Sequence, residues 1–145
     1  MTNEGPRKML TRDDLLFTEE VYQVVGAAMD VHRILGPGFL EAVYQEALAI
    51  ELERHGIPFV AQVPLKIAYR DGFLEKRYIA DFIVHGQIIV EIKSLPRLGT
   101  TETAQILNYL RATSQPLGLL INFGAAGKLE WKRLANTSGG PSRSL

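Results

Sequence analysis

Apolar residues in the first third of the chain recur at the spacing of an α-helix. Over residues 21–35 they fall on one helical face, and Pro37 ends this segment because proline cannot continue a helix. The hydroxyl of Thr18 is placed to cap its first turn. A second apolar stripe runs over residues 39–55 and stops at a Gly-Ile-Pro sequence. The pattern therefore predicts two consecutive helices.

A period of two then replaces the helical period. Residues 62–69 alternate in polarity and predict a strand, in which Pro64 indicates an edge position or a bulge. The Asp71-Gly72 pair is typical of a hairpin turn, so a second strand is expected over residues 75–84. A third strand, a helix and two further strands are predicted over residues 88–94, 101–112, 117–123 and 128–134.

This order, α-α-β-β-β-α-β-β, predicts an α/β fold with a mixed β-sheet flanked by helices. The step from the third to the fourth strand through a helix is expected to be a right-handed crossover. One domain is expected over residues 13–135, because 145 residues suit a single core. Residues 1–12 are predicted to be a flexible lead-in. Residues 136–145, which are small, polar and rich in glycine, are predicted to be a disordered tail.

Composition excludes several classes of function. The chain has no cysteine, which excludes disulfides, thiol catalysis and thiolate zinc sites. No signal-peptide pattern or membrane-length apolar run is present, so we expect a cytoplasmic protein without a membrane partner.

The formal charge is balanced, with 16 Lys and Arg against 16 Asp and Glu, whereas strong nucleic-acid binders usually carry excess positive charge. Five cations give local positive character around the central strands: Arg70, Lys76, Arg77, Lys93 and Arg97. A protein partner is one way to supply further grip on nucleic acid.

Charged residues interrupt the apolar pattern of the second and third strands. One parity is entirely apolar and predicts a single buried face, formed by Ala80, Phe82, Val84, Ile88, Val90 and Ile92. The other parity carries Asp81, Glu91 and Lys93 among isoleucines. Burying three charged groups without partners is costly, so their placement needs a reason.

The length of the intervening turn decides how these groups relate. A three-residue turn places Asp81 opposite Glu91 on one face, whereas a two-residue turn separates them unless a bulge intervenes. Two facing carboxylates favour a bound proton or a cation, and their hard oxygen atoms suit Mg²⁺ or Mn²⁺. Lys93 could then orient water or offset phosphate charge, and Ile92 could offer its carbonyl oxygen. The alternative is a surface carboxylate pair with Lys93 as an ordinary ion-pair partner.

Asp81 followed by Glu91-Ile92-Lys93, between two helices, resembles the core of the PD-(D/E)XK nucleases, with Ala80 in place of the motif's proline. The segment from Gly38 through Glu41 to Tyr44 also matches Gly-x-x-Glu-x-x-Tyr, the motif that names the GxxExxY family. The resemblance extends over about residues 21–134.

The resemblance implies a restriction-endonuclease-like core and a metal-dependent nuclease that hydrolyses phosphodiester bonds of DNA or RNA, with DNA expected. Asp81, Glu91 and Lys93 would be catalytic. Glu41 would join Asp81, Glu91 and the Ile92 carbonyl in holding Mg²⁺ or Mn²⁺. Tyr44 would be a packing residue whose hydroxyl could hold Glu41. The alternative function is a non-catalytic module that binds nucleic acid or protein and retains the fold.

Three further residues have two interpretations each. Gln105 and Tyr109 are spaced i, i+4 and resemble the auxiliary motif of RecB-like nucleases, which implies nucleic-acid binding, but they also suit the polar edge of an amphipathic helix. His32 lies on an apolar stripe, where a satisfied core histidine is the usual finding, and some RecB-like nucleases use an upstream histidine as a metal ligand. Gln62 is a weaker candidate.

Overall fold

The computed structural model describes residues 17–137. Within this range three helices and five strands follow the predicted order. The helices are α1 (Thr18–Leu35), α2 (Glu41–Arg54) and α3 (Thr100–Thr113), and the strands are β1 (Phe59–Tyr69), β2 (Gly72–Val84), β3 (Ile88–Lys93), β4 (Leu117–Asn122) and β5 (Glu130–Ala135). The α/β prediction is therefore confirmed. The predicted lead-in over residues 1–12 lies outside the described residues, as does the predicted tail from residue 138 onward.

The strands form one sheet in the order β1-β2-β3-β4-β5. Neighbouring strands are antiparallel except β3 and β4, which are parallel and joined through α3. β1 lies at an edge of the sheet, where the missing N–H of Pro64 is tolerated. Among the helices of residues 17–137, none combines the length and apolar composition needed to cross a bilayer.

Each face of the sheet carries its own apolar cluster. The helix-pair core lies between α1, α2 and the sheet, and its fully buried members include Val24, Leu48, Phe82, Ile88 and Ile121. The α3 core covers the opposite face and includes Ala80, Ile89, Ile106, Leu110 and Leu120. Because β3 and β4 are covered on both sides, their residues are apolar at nearly every position, as expected for central strands.

The first two strands exchange faces at one point along their length. On β1, Ala61 packs against the helix-pair core, whereas Val63, two residues later, packs against the α3 core. On β2, Ala80 belongs to the α3 core and Phe82 to the helix-pair core. The prediction of one buried face from Ala80 to Ile92 is thus wrong for Ala80, because strict alternation fails where the regular pairing of β1 with β2 is interrupted.

Asp81 and Gln62 mark this exchange. The register pairs Ala61 with Phe82 and Val63 with Ala80, and the intervening Gln62 and Asp81 form no regular pair. Gln62 has a φ of 55°, a left-handed conformation that is costly for a residue with a side chain. The distortion places Asp81 at the boundary between the two cores.

The N-terminus of α1 and the hydrogen bonds of Tyr44 both differ from the prediction. Phe17, not Thr18, occupies the N-cap position of α1, with a φ of 57° and no side-chain capping bond. The buried Tyr44 hydroxyl donates to the Gly36 carbonyl oxygen and accepts the Phe39 N–H at 3.2 Å. The tyrosine of the Gly-x-x-Glu-x-x-Tyr segment therefore closes the turn between α1 and α2, and the prediction that its hydroxyl holds Glu41 is wrong.

The segment after β3 is fixed by a buried asparagine. The Asn122 amide accepts the Leu95 N–H at 2.8 Å and donates to the Leu95 carbonyl oxygen at 2.9 Å. It also donates to Glu130 Oε1, which accepts the Leu98 N–H. At Gly124 an added Cβ would lie 2.4 Å from backbone atoms of Leu95, so only glycine allows this approach. The chain leaving the end of β3 is thereby held against β4 and β5.

Candidate active site

The β2–β3 turn brings Asp81 and Glu91 together. Val84 pairs with Ile88 and Phe82 with Val90, which leaves three residues in the turn. The regular pairs end there, and the Asp81 side chain continues the connection because its Oδ2 accepts the Ile92 N–H at 2.7 Å. Of the two turn geometries considered, the three-residue turn is the one present, and the two carboxylates belong to adjacent positions of neighbouring strands.

Asp81 is partly buried on β2 and is contacted from both α2 and β3. Burial raises the pKa of its carboxyl, the Ile92 N–H opposes that increase, and the charge of Glu41 adds to it. The side-chain amide of Gln45 donates to the Asp81 backbone carbonyl at 3.2 Å. Both the backbone and the side chain of Asp81 are therefore held in place by neighbouring elements.

Glu91 carries the larger perturbation. Burial, followed by the charge of Asp81, raises the pKa of its carboxyl to about 7, although the hydroxyl of Tyr78 and the ammonium of Lys93 favour the charged form. Tyr78 donates a hydrogen bond to Glu91 Oε1. Burial is thus the main reason that the charged form of Glu91 is disfavoured.

Lys93 lies two residues beyond Glu91 on β3, on the side of α3. Its Nζ donates to Gln105 Oε1 at 3.1 Å, and its charge lowers the pKa of both Asp81 and Glu91. Lys93 is thus close enough for its charge to act on both carboxylates, whereas its hydrogen bond is made to the neutral amide of Gln105. The interpretation of Lys93 as an ordinary ion-pair partner accounts for the charge effect but not for this bond.

Glu41 is the first residue of α2 and is exposed. Its charge raises the pKa of both Asp81 and Glu91, so it is close enough to act on them electrostatically. The carboxylates are not gathered into a tight three-ligand set. Within residues 17–137, the set of acids and histidines whose ligand atoms all lie within 4.8 Å of one another is Asp30, Glu51 and His55. Glu41, Asp81 and Glu91 are therefore not all within 4.8 Å of one another in this structure.

The Asp30, Glu51 and His55 cluster is explained by ion pairing on the outer side of α1 and α2. Asp30 lies 3.3 Å from Arg33 and 3.0 Å from His55, and Glu51 lies 3.7 Å from Arg54. Hydrogen bonds from His55 and Arg33 lower the pKa of the Asp30 carboxyl. Each of these carboxylates already has a cationic side chain within 4.0 Å, so ion pairing accounts for the cluster without a metal.

Gln105 and Tyr109 on α3 both point toward the strands. Gln105 bonds to Lys93, as described above, and the ring of Tyr109 stacks on Tyr78 with centroids 3.9 Å apart and planes 12° apart. Sequence reasoning did not single out Tyr78. Tyr78 has the same parity as Ala80, Phe82 and Val84, so alternation alone would place all four on one face. Because the strand changes faces at Asp81, Tyr78 lies with Ala80 in the α3 core instead.

His32 and Ile92 occupy different surroundings. His32 is buried, its Nε2 lies 2.9 Å from the Ala125 carbonyl oxygen, and its ring lies beside Phe123. These contacts tie it to the segment after β4, and they do not bring it to the carboxylates. The Ile92 side chain is buried in the helix-pair core, while its N–H faces Asp81. Since the N–H and carbonyl of one strand residue point to the same side, the Ile92 carbonyl faces Asp81 as well.

The raised pKa of Glu91 gives a signed prediction for the metal-free protein. Between pH 4.5, the ordinary pKa, and about 7, the folded state holds a proton that the unfolded state has lost. Stability should therefore fall as pH rises through this window, by on the order of 3 kcal/mol in total. The raised pKa of Asp81 should also make the folded state less stable as pH increases. Urea unfolding in EDTA across this range measures the slope, and Glu91→Gln should flatten it. Parallel curves for the two proteins would contradict the assignment.

Comparison with known proteins places this site in a family. A model of the PD-(D/E)XK nuclease superfamily matches residues 18–134. The crystal structure of SSO0001 resembles the chain with a TM-score of 0.51 and 18% sequence identity, over 91% of this chain and 63% of that chain. At this identity the likeness shows a common fold, and this chain spans less than two thirds of SSO0001. No curated protein matches. Because the family model covers most of its length, the chain belongs to the PD-(D/E)XK nuclease superfamily.

Proposed function

We propose that this protein is a metal-dependent nuclease that hydrolyses phosphodiester bonds, with DNA as the expected substrate. The observation that carries the proposal is the neighbouring carboxylates Asp81 and Glu91, both with raised pKa values, near Lys93 in a chain of this superfamily. The Gly38-to-Tyr44 segment further suggests the GxxExxY branch of the superfamily.

The donor set suits a hard divalent cation. Asp81 and Glu91 offer carboxylate oxygens, and burial together with the charge of nearby carboxylates raises the pKa of both, an effect that a bound cation would oppose. We assign Mg²⁺ or Mn²⁺ to Asp81, Glu91, the Ile92 carbonyl and Glu41, because oxygen ligands favour these ions. When bound, the ion would polarise the phosphate and acidify water. His32 is the least supported member of the proposed ligand set, since its Nε2 already lies at hydrogen-bonding distance from Ala125.

Lys93 is assigned the role of activating water or offsetting charge on the phosphate. Its single described hydrogen bond, to Gln105, leaves further N–H donors of the ammonium for a substrate oxygen or water. Because an ammonium has three donors, it can keep the bond to Gln105 while it acts.

The substrate is proposed to lie along the outer side of α3. A groove there is lined by Ile67, Thr101, Gln105 and Asn108, and it ends at the amide that contacts Lys93. Gln105 and Tyr109 would contact nucleic acid at this end of the groove. Exposed cations on the β1–β2 hairpin, Arg70 and Lys76, would meet phosphates at the other end, whereas Arg77 bonds to backbone carbonyls of its own strand.

Two parts of the proposal concern the cell. The expected location is the cytoplasm, with which a cysteine-free chain is compatible. A protein partner is proposed to strengthen the hold on DNA, because the formal net charge of the chain is zero.

The direct test is cleavage of labelled single- and double-stranded DNA and RNA with Mn²⁺ or Mg²⁺. We expect DNA cleavage that depends on the ion and stops with EDTA, because the carboxylate pair has no other means of binding phosphate. Failure to cleave any substrate at saturating ion would overturn the proposal. Binding of the same nucleic acids without cleavage would instead identify a non-catalytic module that retains the fold.

A further inference from the structure

Tyr78 is a buried phenol beside the carboxylate pair. It lies on β2, three residues before Asp81, and is 6% exposed. Its ring belongs to the α3 core, on the side of the sheet where Lys93 also projects. A buried hydroxyl requires a hydrogen-bond partner, and many backbone and side-chain oxygens would satisfy it.

The partner that Tyr78 has is Glu91. The phenol donates to Glu91 Oε1. A glutamate has three side-chain torsions, and an unrestrained carboxylate would sample several positions. The bond fixes one carboxylate oxygen and leaves Oε2 available to a ligand.

The ring of Tyr78 is itself restrained by α3. Tyr109 stacks on it at 3.9 Å with nearly parallel planes. One helical turn earlier, Gln105 accepts the hydrogen bond from Lys93. One face of α3 thus contacts Lys93 directly, through Gln105, and restrains Glu91 indirectly, through the ring of Tyr78.

We propose that Tyr78 is a positioning residue, which holds the Glu91 carboxylate for the ion and is held in turn by the stacked ring of Tyr109. The inference rests on the proposed function. It assigns Tyr109 a second role besides nucleic-acid contact, which is to hold the ring of Tyr78 by stacking on it. Hydrogen-bond partners of metal ligands typically contribute about 10–100-fold in metal affinity or activity.

The test compares Tyr78→Phe with the wild type. The variant keeps the ring and its stack and removes only the hydroxyl, so it should fold. We expect kcat to fall about tenfold, the Mn²⁺ concentration for half-maximal cleavage to rise about tenfold, and KM for the oligonucleotide to stay within about twofold. Tyr109→Leu removes the stacked ring and should weaken Mn²⁺ affinity as Tyr78→Phe does. Tyr69→Phe, which alters an exposed tyrosine on β1, is the matched control.

Mn²⁺ affinity measured by calorimetry without substrate separates this inference from the proposed function. If the wild type binds Mn²⁺ but does not cleave, the nuclease proposal fails, and a tenfold weaker affinity in Tyr78→Phe still supports the positioning role. If Tyr78→Phe matches the wild type in kcat and Mn²⁺ affinity, the positioning role is overturned whether or not the wild type cleaves. A wild type that neither binds Mn²⁺ nor cleaves overturns both.

Discussion

Lys93→Ala should lose at least about a hundredfold in kcat while its affinity for Mn²⁺ remains close to that of the wild type. The ammonium acts on water or phosphate in the proposed reaction, and positioned groups of this kind typically contribute about 10²–10⁴-fold. It is not a ligand of the ion, so calorimetric titration with Mn²⁺ should show a site of similar affinity. Single-turnover cleavage of labelled DNA measures the loss of rate.

Lys132→Ala is the matched control for this substitution. Lys132 is exposed on β5 and contacts Thr103 at 3.4 Å, so its removal takes away one positive charge without touching the carboxylates. It should cleave at a rate within about twofold of the wild type. Equal cleavage by Lys93→Ala and wild type would mean that the activity comes from a contaminating nuclease or that the mechanism is wrong.

Asp81→Asn should leave the metal-free protein as stable as the wild type or more stable, and should remove most of its stabilisation by Mn²⁺. Burial and the charge of Glu41 raise the pKa of the Asp81 carboxyl, so the charged form is disfavoured at this position. The substitution removes that charge, and the asparagine oxygen can still accept the Ile92 N–H. In the wild type, an ion at ~100 times its dissociation constant contributes roughly 2.7 kcal/mol. For a domain of this size that corresponds to a shift in Tm on the order of 10 °C.

Thermal melts in EDTA and in Mn²⁺ test both parts, and two further variants sharpen them. Asp81→Ala loses the acceptor for the Ile92 N–H and should be destabilised by about 1–3 kcal/mol without metal. Asp30→Asn removes a carboxylate from the ion-paired cluster on α1 and α2, and it should keep the full response to Mn²⁺. If Asp81→Asn responds to Mn²⁺ as the wild type does, the carboxylates are structural and the nuclease proposal loses its basis.

Much of the fold follows from local patterns. The proline after α1, the Asp71-Gly72 turn and the apolar run of β4 mark boundaries that depend on neighbouring residues only. The closeness of Asp81 and Glu91 was predictable as one of two alternatives, because the length of the turn decides which residues of the two strands lie opposite each other. The length itself depends on His85 and Gly86 both adopting positive φ angles, which the sequence permits without requiring.

What could not be predicted depends on contacts between distant segments. The stack of Tyr78 on Tyr109 joins a strand to a helix 31 residues later, and no local period marks it. The exchange of faces at Gln62 likewise breaks the alternation from which burial was inferred. Tyr44 shows the same limit: its spacing from Glu41 suggested contact between the two, whereas its hydroxyl reaches back to Gly36. Roles assigned to Glu41, Ile92, His32, Gln105 and Tyr109 stay predictions.

The exchange of faces along β2 also bears on how the domain unfolds. A strand that supplies Tyr78 and Ala80 to one apolar layer and Phe82 to the other cannot be released from one layer while it stays seated in the other. The two layers are therefore expected to melt as a single cooperative unit, with hydrogen exchange across β2 governed by global unfolding. Asp81 lies between Ala80 and Phe82, which belong to different layers. A substitution that loosens the packing of either layer is therefore expected to change the position of the Asp81 carboxylate.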